Sequence, residues 1–163
     1  MAKQNTKSKK GFTIIEVVLV LAIAGLIFLM VFIALPALQR SQRDTQRRDD
    51  MSRFMSQLSQ YQSNNAGNVP KSKEDFTSFI SNYLSIGDDK FVDPLNGEAY
   101  IIGDYIDCSK EDCKNKSTSD NIGQIFVYSN AKCEGEDVEK NVGARRVAIT
   151  TKLEGAGVYC SNN

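Results

Sequence analysis

The stretch that decides the fold is GFTIIEVVLVLAIAGLIFLMVFIALPAL, residues 11–38. From Val17 to Leu38 it contains no charged or hydrogen-bonding side chain. At a rise of about 1.5 Å per residue, this run forms a helix about 33 Å long, which is enough to cross a hydrocarbon core of about 30 Å. Glu16 stands just before the run. Because a carboxylate in lipid is costly without a cationic partner, Glu16 is predicted to have a function.

Three ordinary interpretations of the apolar run compete. A cleavable secretory signal has an apolar region of about 7–15 residues followed by a small-residue cleavage site. The only close match here, Ala22-Ile23-Ala24, lies in the middle of the run. A core helix that is apolar on every side would need more surrounding protein than a chain of 163 residues provides. A plain membrane anchor explains the length, but neither Glu16 nor the abrupt Lys9-Lys10-Gly11 boundary.

Composition limits the kinds of functional site that residues 39–163, which we call the head, can contain. The sequence has no His and four Cys. All four Cys follow residue 100, so two disulfides in an oxidising compartment are expected, with three possible pairings. A zinc site would need closer Cys pairs and usually His. The sequence contains no Gly-rich phosphate loop, Ser-His-Asp set or basic stripe with interleaved aromatics. We therefore expect no enzyme activity, no catalytic residue, no cofactor, no metal and no direct nucleic-acid site.

The charges that flank the apolar run do not decide its orientation. Four Lys precede it and five Arg follow it closely, so the positive-inside tally is nearly even. The orientation is predicted instead from the Cys residues and from the length of the head, because long domains are translocated largely regardless of flanking charge. The sequence thus predicts a single-pass protein of the cytoplasmic membrane, with its N-terminus inside and its head outside.

The N-terminal helix is expected to continue into the head. Between Gln39 and Asp50 no apolar residue occurs, so this stretch is predicted to be a solvated connector. Opposite charges at i,i+4 predict the ion pairs Arg40–Asp44, Asp44–Arg48 and Asp49–Arg53. Beyond it, apolar residues recur at helical spacing and are expected to lie against a sheet. These residues are Met51, Phe54, Met55, Leu58 and Tyr61.

The second half of the head is predicted to contain one short helix and several strands. Ser72 and Asp75 can cap the helix, and Gly87 is expected to end it. Strand candidates are residues 99–106, 124–129 and 145–153, with a shorter fourth at 157–160. The predicted fold class is α+β: a long N-terminal helix, membrane-spanning in its first half, packs on a small antiparallel sheet of three to four strands.

The octapeptide Lys9-Lys10-Gly11-Phe12-Thr13-Ile14-Ile15-Glu16, followed directly by the apolar run, resembles the N-terminus of a type IV prepilin. The resemblance implies that a membrane-embedded prepilin peptidase cuts between Gly11 and Phe12 and that the new amine of Phe12 is methylated. Residues 1–11 would then be a cytoplasmic leader peptide, residues 12–38 a transmembrane and assembly helix, and residues 39–163 an extracytoplasmic globular head. The segment from Asp93-Pro94 to Tyr100 is similar to a turn of pseudopilins and some pilins.

The resemblance also implies roles for single residues. Glu16 would pair with the Phe12 amine of a neighbouring copy, and such a pair sets the register because only one axial offset brings the two groups together. Gly25 and Pro36 would interrupt the apolar helix, in a region that loosens in similar pilins when subunits enter the fibre. A pairing of Cys133 with Cys160 would tie the C-terminus as a pilin's disulfide loop does, and Cys108 with Cys113 would enclose a tight polar loop.

The function implied is that of a structural subunit, assembled through its N-terminal hydrophobic helix into a pilus or pseudopilus that serves adhesion, motility, DNA uptake or secretion. The expected partners are prepilin peptidase, other copies of the chain and other pilins in a helical filament, the inner-membrane assembly machinery, and the lipid bilayer before assembly. After assembly the chain would lie in a cell-surface pilus or an envelope pseudopilus. The alternative is a membrane-anchored extracytoplasmic binding module that stays in the bilayer.

Overall fold

The computed structural model describes residues 11–87, 90–110, 112–117, 120–141, 143, 145–155 and 157–163. The chain divides into two compact units, Met1–Leu38 and Gln39–Asn163. One helix, α1 (Ile14–Asn64), begins in the first unit and ends in the second. In the first unit α1 is long and apolar enough to cross a membrane, and its large apolar side chains are exposed. The predicted apolar, membrane-like first half of the helix is therefore confirmed.

In the head, α1 supplies one apolar face to the core. Met51, Phe54, Met55 and Leu58 are buried, and Tyr61 packs at the edge of the same cluster. The helix ends with Ala66 and Gly67 at positive φ, the left-handed conformation that commonly stops a helix. A second helix, α2 (Lys73–Phe79), follows and continues as a π-helical turn, Ile80–Leu84. The predicted cap is confirmed, because the Ser72 side chain accepts a hydrogen bond from the Asp75 N–H.

The main sheet has four strands in the order β1-β2-β5-β6. They are β1 (Ile101–Asp107), β2 (Gln124–Ser129), β5 (Val147–Lys152) and β6 (Val158–Asn162). The pairs β2–β5 and β5–β6 are antiparallel, as predicted, whereas β1 runs parallel to β2. A parallel pair needs a crossover of about a dozen residues or more, and residues 108–123 provide it. The predicted α+β fold is confirmed, with a mixed sheet that is mainly antiparallel.

A separate two-stranded hairpin, β3 (Ala131–Glu134) with β4 (Asp137–Lys140), was not foreseen. Its strands are short and mostly polar, so they carry little of the apolar alternation that marks a strand. The sheet buries both faces. One face packs on α1 and α2. On the other face, Phe126 and Tyr128 of β2 form a smaller cluster with Val138 of the hairpin. The hairpin thus covers the side of the sheet opposite to the helices.

Candidate functional site

The first candidate site is the start of the N-terminal unit, where Gly11 and Phe12 are both exposed. A Cβ built on Gly11 would meet no heavy atom within 4 Å, and Phe12 is 92% exposed. No residue that the structure describes therefore shields the peptide bond between them from a protease. The basic residues Lys9 and Lys10, and the rest of the predicted leader up to Lys10, lie outside the described residues.

Thr13 and Glu16 form a reciprocal cap at the first turn of α1. The Glu16 Oε2 accepts hydrogen bonds from the Thr13 N–H and from the Thr13 hydroxyl, both at 2.8 Å. In return the Thr13 Oγ1 accepts a bond from the Glu16 N–H at 3.4 Å. This is the capping-box arrangement of Thr-x-x-Glu, which satisfies N–H groups that a helix end leaves open. The motif was visible in the sequence, but the role of Thr13 was not foreseen there.

The cap uses only one oxygen of the Glu16 carboxylate. No described residue donates a hydrogen bond to Oε1, so the second oxygen is available to a partner from outside the chain. Glu16 shares one surface of the unit with four apolar residues: Phe12, Val17, Val20 and Leu21. A carboxylate framed by apolar side chains makes a strong, specific contact only with a cation or a donor.

Gly25 and Pro36 both lie inside α1. A Cβ on Gly25 would meet no heavy atom within 4 Å, so close packing within the described chain does not require glycine there. Pro36 lacks the N–H that would bond to the carbonyl four residues earlier, which weakens the helix locally. Their role as interruptions that matter in a fibre stays a prediction.

The second candidate site lies in the head and centres on Arg47, whose side chain is fully buried. The guanidinium binds the Asp93 carboxylate with two bonds, Nε to Oδ2 at 2.7 Å and Nη2 to Oδ1 at 2.8 Å. Its Nη1 donates to Asp44 Oδ1 at 3.0 Å and lies 2.8 Å from Glu154 Oε1. One arginine of α1 thus binds the turn before β1 and the turn between β5 and β6.

Asp44 and Arg43 extend this contact. Arg43 forms a bidentate pair with Glu154, at 2.8 Å from Nε to Oε1 and 2.6 Å from Nη2 to Oε2. The Asp44 carboxylate accepts the backbone N–H groups of Glu154 and Gly155, both at 2.8 Å. We call these five side chains, Arg43, Asp44, Arg47, Asp93 and Glu154, the ionic clamp. Hydrogen bonds between charged groups, including bidentate ones, are shorter and stronger than hydrogen bonds between neutral groups.

The ionic clamp shows that the prediction of a solvated connector between Gln39 and Asp50 was wrong. Residues 43, 44 and 47 face the head, and Arg47 is buried because three carboxylates compensate its charge. Asp44 pairs with Arg47 at i,i+3, and among the described residues the predicted Arg40–Asp44 and Asp44–Arg48 ion pairs do not form. Arg48 instead lies over the ring of Tyr159, 5.3 Å from its centroid. Helical periodicity alone did not reveal partners that lie far away in sequence.

The Asp-Pro turn owes its place to the same contacts. Asp93 Oδ1 accepts the Leu95 N–H at 2.9 Å, and the Asp93 carbonyl accepts the Gly97 N–H at 2.9 Å, so the residue shapes the turn as well as binding Arg47. At the end of the segment the Tyr100 hydroxyl donates to Asp50 Oδ2 at 3.0 Å. The sequence identified the turn, but not that both of its ends are held by α1.

We expect the head to lose stability as the pH falls from about 4.5 towards 2. Hydrogen bonds from Arg43, and also from Arg47, lower the pKa of Glu154 from 4.5 to about 2. A carboxyl whose pKa is depressed on folding binds more protons in the unfolded state. Its contribution to stability is therefore fully present above the unfolded pKa and is lost as the pH falls through the folded pKa. For a partly screened pair this amounts to about 2 kcal/mol.

Urea unfolding of the full chain in detergent, followed across this pH range, measures the effect. Burial raises the pKa of Asp50, which acts in the opposite sense, so the change in slope caused by a variant is the decisive quantity. The Glu154→Gln variant is expected to flatten the acid dependence. An unchanged acid dependence in that variant would show that Glu154 does not cause it.

Two disulfides tie the head, Cys108 to Cys113 and Cys133 to Cys160. This is the pairing that the sequence analysis favoured among the three. The second one joins the hairpin strand β3 to the edge strand β6 across a sequence separation of 27. In the chain-entropy description a loop of this length stabilises by about 3.5 kcal/mol, against about 2 kcal/mol for the shorter loop.

No group of three or more His, Cys, Asp or Glu side chains suited to a metal occurs among the described residues. Asp88 and Asp89, which precede Asp93 in the sequence, lie outside the described part of the chain. The Asp93 carboxylate is instead engaged with Arg47 and with the Leu95 N–H.

Comparison with known proteins gives one finding. Residues 6–32 match the family model described as the prokaryotic N-terminal methylation motif. No curated protein and no solved structure matches the chain significantly. The match covers the candidate cut site, Thr13, Glu16 and the first part of the apolar helix, and it does not extend into the head.

Proposed function

We propose, from the type IV prepilin signature that residues 6–32 carry, that this chain is the precursor of a filament subunit. The signature supports a type IV pilin-like precursor, and α1 is long and apolar enough to span a membrane. The proposal goes further. Prepilin peptidase cuts after Gly11, the new Phe12 amine is methylated, and the mature chain joins other pilins in a pilus or pseudopilus.

The exposed apolar surface of α1 supports assembly through this helix. None of the large apolar side chains from Phe12 to Leu38 is buried within the chain, and several are more than 70% exposed, among them Ile14, Met30 and Phe32. Such a surface needs lipid before assembly and neighbouring helices afterwards. The same segment therefore serves first as a membrane span and then as the packing surface of the fibre.

Glu16 supports a defined register between subunits. Its Oε2 is held by Thr13, while no described residue donates to Oε1. A methylated amine on Phe12 of an adjacent copy is a cation of the right charge, and it reaches Oε1 at only one axial offset. The cap thus orients the carboxylate for its partner, and the ion pair specifies register because a buried, unpaired carboxylate costs several kcal/mol, on the order of 3–5.

The head is proposed to lie outside the cytoplasmic membrane, with the N-terminus inside. The two disulfides support this orientation, because disulfides persist in oxidising compartments and are rare in the cytosol. The inner-membrane assembly machinery would then extract the processed chain into a cell-surface pilus or an envelope pseudopilus. A chain that stays in the bilayer as an anchored binding module is the alternative.

The intact mass of the chain, purified from cell membranes and from sheared surface material, tests the proposal. We expect a chain that lacks residues 1–11 and carries the additional mass of one methylene group. A Gly11→Val variant is the matched control, because a side chain at the cut obstructs the close backbone approach that a protease needs, and it should remain full length. A wild-type chain that is full length in cells containing the peptidase would favour the plain anchor.

A further inference from the structure

The docking of α1 on the head changes character along the helix. From Met51 onwards the helix is held by buried apolar side chains, of which Met51, Phe54 and Leu58 are fully buried. Before Met51, Arg47 is the only buried residue of α1 among those described, and its neighbours at positions 45, 46, 48 and 49 are exposed. The segment from residue 39 to residue 50 therefore places no apolar side chain in the core, and the ring contact of the exposed Arg48 with Tyr159 is a weak one.

What holds this segment is the ionic clamp. Arg43, Asp44 and Arg47 together contact two turns that are distant in sequence, the turn at Asp93 and the turn at Glu154–Gly155. Beyond the clamp, Arg48 lies over the ring of Tyr159, and the Tyr100 hydroxyl donates to Asp50, directly beside Met51. The distance along α1 from Arg43 to Met51 is about two helical turns, or about 12 Å.

The strand on the far side of the clamp is covalently fixed. The turn that Asp44 and Arg43 hold leads into β6, and Cys160 of β6 is bonded to Cys133 of β3. The other turn leads into β1 through the Asp93 to Tyr100 segment. Loss of the clamp would thus leave the sheet, its disulfide and the apolar core folded, because the strands pair with one another and the core residues of α1 begin at Met51.

We propose that the ionic clamp is a releasable latch that sets how much of α1 is docked on the head. When the latch is closed, the contact of α1 with the rest of the head begins at Arg43. When the latch is open, this contact begins at Asp50 and Met51, and residues 39–49 form an undocked segment that is helical or frayed. Segments held by few apolar contacts open locally at a lower free energy than the rest of a domain. The latch lies in the head alone, and its opening does not depend on processing or on filament formation.

Hydrogen exchange measured by mass spectrometry on the full, unassembled chain in detergent tests the latch. In the Asp44→Ala variant, exchange at the Glu154 and Gly155 amides, which donate to Asp44, should rise by about tenfold or more. The exchange rates of the amides of residues 43–49 should rise with them, and by clearly more than those of residues 54–58, which lie in the apolar core and exchange through unfolding of the whole head. Asp49→Ala, which removes an exposed acid on the next turn of α1, is the matched control and should leave exchange in all three regions unchanged.

Two outcomes would overturn the latch. A uniform rise in exchange across the head would mean that the clamp is part of the global core, with no separate opening. Unchanged exchange at residues 43–49 and at Gly155 would mean that the segment is held by something other than the clamp. Glu154→Gln is a second variant that should open the latch, and it keeps the Asp44 side chain that caps the turn. The result therefore does not depend on one variant that folds poorly.

Discussion

Replacing Arg47 by methionine is expected to lower the free energy of unfolding of the head by about 3–5 kcal/mol. The substitution keeps much of the side-chain volume but removes the charge that compensates Asp93, Asp44 and Glu154. Asp93 is only 2% exposed, so its carboxylate would stay desolvated and unpaired. Breaking a buried pair from one side costs far more than the pair itself contributes, because the remaining charge loses its compensation.

Urea unfolding of the full chain, with Arg48→Met as the neighbouring control, measures this effect. Arg48 is exposed and contacts only the ring face of Tyr159 among its described partners, so its loss should cost about 1 kcal/mol or less. Combining Arg47→Met with Asp93→Asn, which keeps a turn-forming side chain, should recover part of the loss because the buried charge is gone. Equal destabilisation by the two arginine variants would contradict the central role of Arg47.

The second large effect is expected at Glu16. Glu16→Ala should give processed, membrane-inserted chain that forms few or no filaments, since the proposed pairing with a neighbouring Phe12 amine is lost at every subunit contact. A loss of about 3 kcal/mol per contact lowers each association constant by more than a hundredfold. Electron microscopy of sheared surface material, normalised to the amount of processed chain in the membrane, measures the loss.

Glu16→Gln separates the two roles of this side chain. Glutamine can replace glutamate in a capping box, so the first turn of α1 keeps its cap while the negative charge is removed. If charge pairing governs assembly, the Gln variant fails as the Ala variant does. Normal filaments from Glu16→Gln would show that the cap, rather than the ion pair, is what assembly needs.

The N-terminal unit could be read almost entirely from the sequence. The apolar run, the position of Glu16 and the Gly11–Phe12 boundary are local features, and a membrane helix needs no distant partner to satisfy its backbone. The methylation motif at residues 6–32 was found in the same segment. The cap between Thr13 and Glu16 was equally readable, since its two residues lie three positions apart, but it was overlooked there.

In the head, the regular elements were predictable where an apolar pattern marks them. The stripe from Met51 to Leu58, the Ser72 cap and the strand at Gln124–Ser129 all follow from spacing and capping rules. The hairpin of β3 and β4 was missed because its strands are polar on most positions. The parallel pairing of β1 with β2 was missed because register and direction depend on where the crossover chain runs.

By itself the sequence determined that this protein has an apolar helical span with a carboxylate at its start, a prokaryotic N-terminal methylation motif, and a small α+β head with four cysteines. Only the tertiary structure decided that a charged stretch of α1 is held by carboxylates from Asp93 and Glu154, residues that lie 46 and 111 positions from their arginine partners. The physical reason is that apolar burial leaves a periodic trace in sequence, whereas an ion pair between distant segments leaves none until the fold brings its charges together.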